Sequence, residues 1–338
     1  MNRLLAYAQL LRLPNVFTAF GDILMAACAA GYITQRLDLV VLLLASSGCL
    51  YLSGMVFNDI FDRKSDAETQ AFRPLPSGRV SLRIAVILAV TLMLVGLVAA
   101  WFTTGFFIAL GLAAAILAYD AVLKHSNVGP VAMGFCRLLN VLLGLSGDFD
   151  AVPHALQLHL VMTIGIYIMG VTLFAKTEER VSSKENLYVA AGAMVAACVM
   201  AITMPSLRHV PETWIGFPYL VVAFGAIVAF KVIPAIRQPT PKNVQAAVKR
   251  SILSLVVLDA VLASAFVGPP GLLIILLLLP ARVLGQWVYS TYRRNSCNLI
   301  AVRSSSLEVP PWPDSQLSLR PTTPLLRLSH SLTSTWPR

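Results

Sequence analysis

The chain has 338 residues, of which 57% are hydrophobic and only 12% charged, with a mean hydropathy of +0.75 and a formal net charge of +10. This composition excludes a soluble globular domain and indicates a polytopic membrane protein. The positive charge reads as membrane topology and attraction to anionic lipid, with no nucleic-acid partner expected.

Apolar runs fall near residues 16–34, 39–57, 82–101, 104–123, 129–147, 155–175, 187–204, 214–233, 249–267 and 269–290. Each has the length needed to cross a hydrocarbon core about 30 Å thick. The last two are separated only by Gly268-Pro269-Pro270 and read as two spans or as one broken or re-entrant pair. An all-α bundle of nine membrane helices, or ten, is therefore expected. The N-terminus has no short apolar core followed by a small-residue cleavage site, so the first span is expected to be retained.

Lys and Arg cluster in alternate loops. Arg3 and Arg12 precede the first span; Arg63, Lys64, Arg73, Arg79 and Arg83 follow the second; Lys124 follows the fourth, Lys176, Arg180 and Lys184 the sixth, and Lys231, Arg237, Lys242, Lys249 and Arg250 the eighth. The intervening loops hold little beyond Arg36 and Arg208. Cytoplasmic loops carry this excess, so the N-terminus and every polar motif below are expected on the cytoplasmic side. Arg282, Arg293 and Arg294 fit the same bias only if 269–290 crosses.

The most informative stretch, Asn58-Asp59-Ile60-Phe61-Asp62-Arg63-Lys64-Ser65-Asp66, ends the second span. If the helix runs a turn or two past Phe57, the i, i+3, i+7 spacing puts Asp59, Asp62 and Asp66 on one face, with Asn58 beside them. Carboxylates at bilayer depth are costly and repel one another, so they call for a cation. Hard carboxylate and amide oxygens suit Mg²⁺, which completes its octahedron with water and substrate phosphate. The alternative is a solvated, charged juxtamembrane loop. Arg73 follows in a Pro- and Gly-broken loop, either as a two-donor clamp on phosphate or as an ordinary anchor; Arg79 and Arg83 read as anchors.

A second polar node closes the fourth span, where Tyr119 offers a hydroxyl donor and Lys124 a point charge or a snorkelling anchor. Arg137 and Asn140 form a third, inside the fifth span. An arginine there should face the bundle interior and pair with a carboxylate or a substrate anion. An ungapped alignment of residues 51–63 with 167–179 matches Tyr51 to Tyr167, Gly54 to Gly170 and Asp62 to Glu178, a faint sign of two related halves. The five cysteines, Cys28, Cys49, Cys136, Cys198 and Cys297, lack metal-like spacing and read as packing residues.

Asn58-Asp59-x-x-Asp62-x-x-x-Asp66, followed by Arg73-Pro74-Leu75-Pro76-Ser77-Gly78, resembles the first aspartate-rich motif of the UbiA superfamily of intramembrane prenyltransferases. The Tyr119…Lys124 element and the Arg137, Asn140, Gly144 set are similar to that family as well, and the resemblance covers roughly residues 10–290. It implies a helical bundle around a central cavity open to lipid, and a Mg²⁺-dependent transfer of an isoprenoid from a prenyl diphosphate to an acceptor, often an aromatic ring. By carry-over, Asn58, Asp59, Asp62 and Asp66 would bind metal, joined by Glu178. Arg73, Lys124, Arg137, Asn140 and Tyr119 would contact diphosphate, and Asp62, Lys124, Lys176 and Glu178 would carry the catalysis. The chain departs from the family in its second motif, where Lys176, Glu178 and Glu179 follow Thr172 in place of several aspartates. That pattern resembles the EboC-like branch, and Lys176 would stand in for a second Mg²⁺ as a fixed positive charge.

Residues 295–338 are rich in Ser, Pro, Leu and Thr and are expected to form a disordered tail outside a membrane domain spanning 1–294. Two functions remain open at this point: a Mg²⁺-dependent prenyltransferase with an unidentified acceptor, or a protein that binds or transports a lipid diphosphate without chemistry.

Overall fold

The structure, a computed structural model, describes residues 3–176, 184–207 and 214–288. The chain divides into two units, Met1–Tyr292 and Arg293–Arg338, and the second lies outside the described residues, as do the expected tail, Glu178, Glu179 and Cys297. All regular elements among the described residues are helical: α1 (Arg3–Leu10), α2 (Val16–Ala29), α3 (Leu37–Phe61), α4 (Arg63–Thr69), α5 (Leu82–Trp101), α6 (Phe106–Ala121), α7 (Gly129–Leu145), α8 (His154–Ala175), α9 (Lys184–Thr203), α10 (Phe217–Arg237) and α11 (Pro241–Val267), with short 3₁₀ turns between some of them. A closing segment, Pro269–Val288, starts as a 3₁₀ helix over Pro269–Leu277 and continues as α-helix.

Seven of these segments are long and apolar enough to cross a membrane: α3, α5, α8, α9 with its 3₁₀ extension, α10, α11 and the closing segment. The chain is thus an all-α, multi-pass integral membrane protein. The remaining expected spans differ in detail. The first is shorter than residues 16–34, because Gly31 takes a left-handed φ of +74° just past the end of α2, where a β-carbon would be strained. With α1 and a 3₁₀ turn before it, α2 makes a pair bent by 44°. The fourth and fifth are helices of 16 and 17 residues, which at 1.5 Å per residue reach only about 25 Å.

The bundle closes on itself, since α2 packs against α3, α7 and α11. Small residues allow close crossings: a β-carbon on Gly134 of α7 would lie 2.6 Å from the Gly165 carbonyl oxygen of α8. The outward faces of α5, α6 and α10 present Ile87, Leu94, Trp101, Phe107 and Phe230, the apolar surface that lipid solvates. Cys28, Cys49, Cys136 and Cys198 are free thiols, buried or half-buried in this packing.

One end of the bundle gathers the polar groups. Lys124 after α6 pairs with Asp62 after α3, and Lys176 after α8 donates to the Ser126 carbonyl between α6 and α7. Gln9 Nε2 donates to the Val288 carbonyl at 3.1 Å, so the closing segment finishes at this end too. A satellite core of Ala6, Leu10, Val56, Leu75, Val80, Ala85 and Ala89 lies beneath it. Burying such side chains is worth about 1.5–3 kcal/mol for each Leu or Val. That packing pins α1 and the 70–80 loop against α3, and with them the arginines they carry.

Candidate active site

The apolar run of α3 gives way to Asn58 and Asp59 while the helix is still packed, so both are buried. The helix continues one turn past Phe57 and ends at Phe61; Asp62 joins it to α4, where the Asp66 N–H bonds the Asp62 carbonyl at 2.8 Å. Asp59 and Asp66 converge on Arg73, while Asp62 turns to Lys124 and His125. Their side chains are 4%, 12% and 7% exposed for Asp59, Asp62 and Asp66, which rules out the solvated-loop reading.

Each carboxylate meets a cation from a different part of the chain. Arg73 Nη1 donates to Asp66 Oδ2 at 2.7 Å and lies 3.6 Å from Asp59 Oδ1, while its Nε donates to Gln70 Oε1 at 2.9 Å. Lys124 pairs with Asp62, and His125 Nε2 lies 3.6 Å from the other Asp62 oxygen. Arg12 Nη2 donates to Asp59 Oδ1 at 2.9 Å and to Asn58 Oδ1 at 3.3 Å. Arg12 reaches them from a left-handed backbone, φ +44°, at the joint between α1 and α2. This conformation is uncommon for a non-glycine residue and is held by the packing on both sides. A cavity of about 340 Å³ opens beside the pair and is lined by Gln9, Arg12, Asn15, Asp59, Arg73 and Arg79 among others. Arg79 ties the loop to α1 through Gln9 Oε1 at 2.7 Å.

Of the other expected residues, Tyr119 is buried within electrostatic range of Asp62, Asp120 and Arg12. Lys176 sits at the same end through Ser126. Arg137 and Asn140 do not join the cluster. Arg137 Nη1 donates to Asp22 Oδ2 at 3.0 Å and Asn140 Nδ2 donates to the same oxygen at 2.8 Å. Arg137 lies eight residues inside α7, about 12 Å along the helix from its start. Its partner is the carboxylate that an intramembrane arginine demands.

Several residues outside the sequence-based set belong to these groups. Asp120 accepts from Asn58 Nδ2 at 3.1 Å, which turns the Asn58 carbonyl oxygen toward Arg12. Arg12 stood out only as a topology marker. Asp22 and Asp259 each interrupt an apolar span, and an ionisable residue inside a span is itself the signal that would have found them. Tyr51 and Tyr167, matched in the internal alignment, serve different ends: the Tyr51 ring lies 5.3 Å from the Arg137 guanidinium carbon, whereas the Tyr167 hydroxyl donates to the Ser251 carbonyl at 2.9 Å.

No three His, Cys, Asp or Glu side chains among the described residues converge to hold a metal unaided. The donors fit Mg²⁺ in the way that ion prefers, with one or two carboxylates per ion and the remaining positions left to water and phosphate. Asp59 and Asp66 offer buried hard oxygens, and Asp62 a largely buried one.

The sequence model of the UbiA prenyltransferase family matches residues 16–253. Digeranylgeranylglyceryl phosphate synthase of Natronomonas pharaonis is 28% identical over 247 residues, 67% of this chain and 85% of that protein. The Methanococcus vannielii protein of the same name is 32% identical over 123 residues, 36% of this chain and 44% of that protein. The 4-hydroxybenzoate octaprenyltransferase of Saccharophagus degradans is 22% identical over 232 residues, 64% of this chain and 78% of that protein. Among solved structures, a UbiA homologue from Archaeoglobus fulgidus bound to GPP and Mg²⁺ superposes with a TM-score of 0.57 at 16% identity, over 80% of this chain and 99% of that one. A digeranylgeranylglyceryl phosphate synthase structure gives a TM-score of 0.60 at 20% identity, over 79% of this chain and 99% of the other. These structures share the fold.

Proposed function

This chain belongs to the UbiA prenyltransferase family, and from that premise we propose that it transfers an isoprenoid from a prenyl diphosphate to an acceptor nucleophile at the polar end of the bundle. The observation that carries this reading is the pairing of Asp59, Asp66 and the largely buried Asp62 with Arg12, Arg73 and Lys124, cations from three segments of the chain. Such a site is built to exchange partners: the carboxylates release Arg12, Arg73 and Lys124, and those side chains then grip phosphate oxygens. Asp59, Asp62 and Asp66, with the Asn58 carbonyl oxygen, would hold Mg²⁺, which when bound neutralises diphosphate charge and makes it a better leaving group.

The allylic C–O bond breaks with both electrons leaving on the diphosphate, and the acceptor attacks the resulting carbocation and loses its proton. Arg12 and Arg73 present planar forks to phosphate oxygens, while Lys124 adds a point charge. Their positive charge is worth most where negative charge grows in the transition state. Apolar helix walls hold the isoprenoid and keep away water that would quench the cation. Asp120 orients Asn58. Arg12 takes the diphosphate contact that the sequence suggested for Arg137 and Asn140, which act one level deeper in the bundle. Tyr119 lends its hydroxyl from the buried wall beside Asp62. Lys176 supplies fixed positive charge at the same mouth.

The mouth and the N-terminus face the cytoplasm in this reading, supported by the Lys and Arg excess at that end. Ten crossings are favoured. Lys124 after α6 reaches Asp62 and Val288 of the closing segment reaches Gln9, which supports counting α6, α7 and the closing segment as crossings. Purified protein, labelled prenyl diphosphates and a panel of aromatic and lipid acceptors with Mg²⁺ test the function. Product formation that is lost in Asp62→Asn supports it. Tight diphosphate binding with no product from any acceptor would favour the binding or transport reading instead.

A further inference from the structure

The core of the bundle holds a charged group that the transfer chemistry leaves unused. Asp22 on α2 and Asp259 on α11 are fully buried. Asp22 Oδ2 accepts from Arg137 and Asn140, Arg137 Nη2 donates to Thr18 Oγ1 at 2.7 Å, and the Asn140 carbonyl oxygen accepts from Ser47 at 2.7 Å. The remaining oxygen of Asp22 and both oxygens of Asp259 receive no donor. Asp259 Oδ2 lies so close to Gly21, the residue before Asp22, that a β-carbon there would be 2.4 Å from it, so α11 sets Asp259 against the stretch of α2 that carries Asp22.

Two acids thus face one guanidinium. The charged groups bearing on Asp259 are Asp22 and Arg137; Tyr51 covers Arg137 from α3, and Tyr167 of α8 is engaged by Ser251 and Ser254 further along α11. An unpaired carboxylate in a low-dielectric interior is not sustainable. Two acceptors side by side need a donor between them. A hydrated ion has little room, because Asp259 Oδ2 is pressed so closely on α2 that a β-carbon on Gly21 would lie 2.4 Å from it.

We propose that Asp22 and Asp259 form a proton-binding site, holding one proton between their facing oxygens so that the Asp22–Asp259–Arg137 group is neutral. The shared proton then ties α11 to α2 and closes the bundle between its first and last thirds. It leaves Arg137 neutralised whether or not substrate is present.

Infrared difference spectroscopy of the purified full-length protein reads the site directly. The wild type minus Asp259→Asn spectrum should contain the carbonyl stretch of a protonated carboxylic acid, and alkaline titration of the wild type alone should remove it. Asn mimics the protonated acid, so Asp259→Asn should keep the wild-type melting temperature and flatten its decline at alkaline pH, whereas Asp259→Ala should lower it. Three results would overturn the proposal: no acid band in either experiment, Asp259→Asn as unstable as Asp259→Ala, or stability that rises with Na⁺ or K⁺ at fixed ionic strength, which would mean a metal cation occupies the place of the proton. None of these readouts depends on turnover, so they stand apart from the test of prenyl transfer.

Discussion

The mouth and the core of this bundle both set carboxylates against arginine, but in different proportions. At the mouth Asp59, Asp62 and Asp66 are matched by Arg12, Arg73 and Lys124, each drawn from a loop or a helix end. In the core Arg137 pairs with Asp22, and both oxygens of the fully buried Asp259 on α11 lack a hydrogen-bond donor. The contrast separates two uses of buried charge. Matched pairs at a wet edge can part when a more highly charged ligand arrives, because water and ligand replace what each partner loses. A core group has no such replacement, so its composition must already be neutral and its geometry fixed.

Substitutions can break this contrast, and the largest effect belongs to the core. Arg137→Leu leaves two buried acids without their cation and should cost about 3–5 kcal/mol of stability, seen as a large fall in the thermal unfolding midpoint of the detergent-purified protein. At the mouth, Asp62→Asn should instead leave the midpoint nearly unchanged while lowering single-turnover prenyl transfer by about 10²–10³-fold, the range for removing one preorganised charge from a transition state. A midpoint loss as great as that of Arg137→Leu would erase the distinction between the two regions.

Arg12→Lys sharpens the picture at the mouth, because lysine keeps the charge and loses the fork. The KM for prenyl diphosphate should rise about tenfold with kcat little changed, as expected when a two-point contact to substrate becomes a point contact. Steady-state kinetics decides it. An effect of similar size is expected for Gly21→Ala, whose new methyl would collide with Asp259. It should destabilise by about 1–3 kcal/mol in the wild type and by less in an Asp259→Ala background, where the obstructing carboxyl is gone. Equal losses in the two backgrounds would show that Gly21 is not there to admit Asp259.

The apolar runs predicted α5 and α8 well because a helix that crosses a membrane must be apolar along its length, whereas α11 starts eight residues before its run, at Pro241, with polar residues that hydropathy does not mark. The acid-rich stretch was plain from local spacing, although Asp59 and Asp66 fall on two helices, α3 and α4, joined at Asp62. Arg12 was not legible as a site residue. Its role depends on a left-handed joint and on a partner 47 positions away, Asp59. Arg137 was correctly expected to face an anion inside the bundle. Which anion depended on how α2 packs against α7.

What the amino-acid order determined by itself was the class of molecule, the helical elements and the family to which it belongs, because hydrophobic length and short-range spacing act within one helix. What only the tertiary structure decided was the pairing of charges: Arg12 with Asp59, Lys124 with Asp62, Arg137 with Asp22, and the burial of Asp259 without a basic partner among the described residues. Coulombic interaction and desolvation depend on distance and burial in three dimensions, and neither is encoded by separation along the chain.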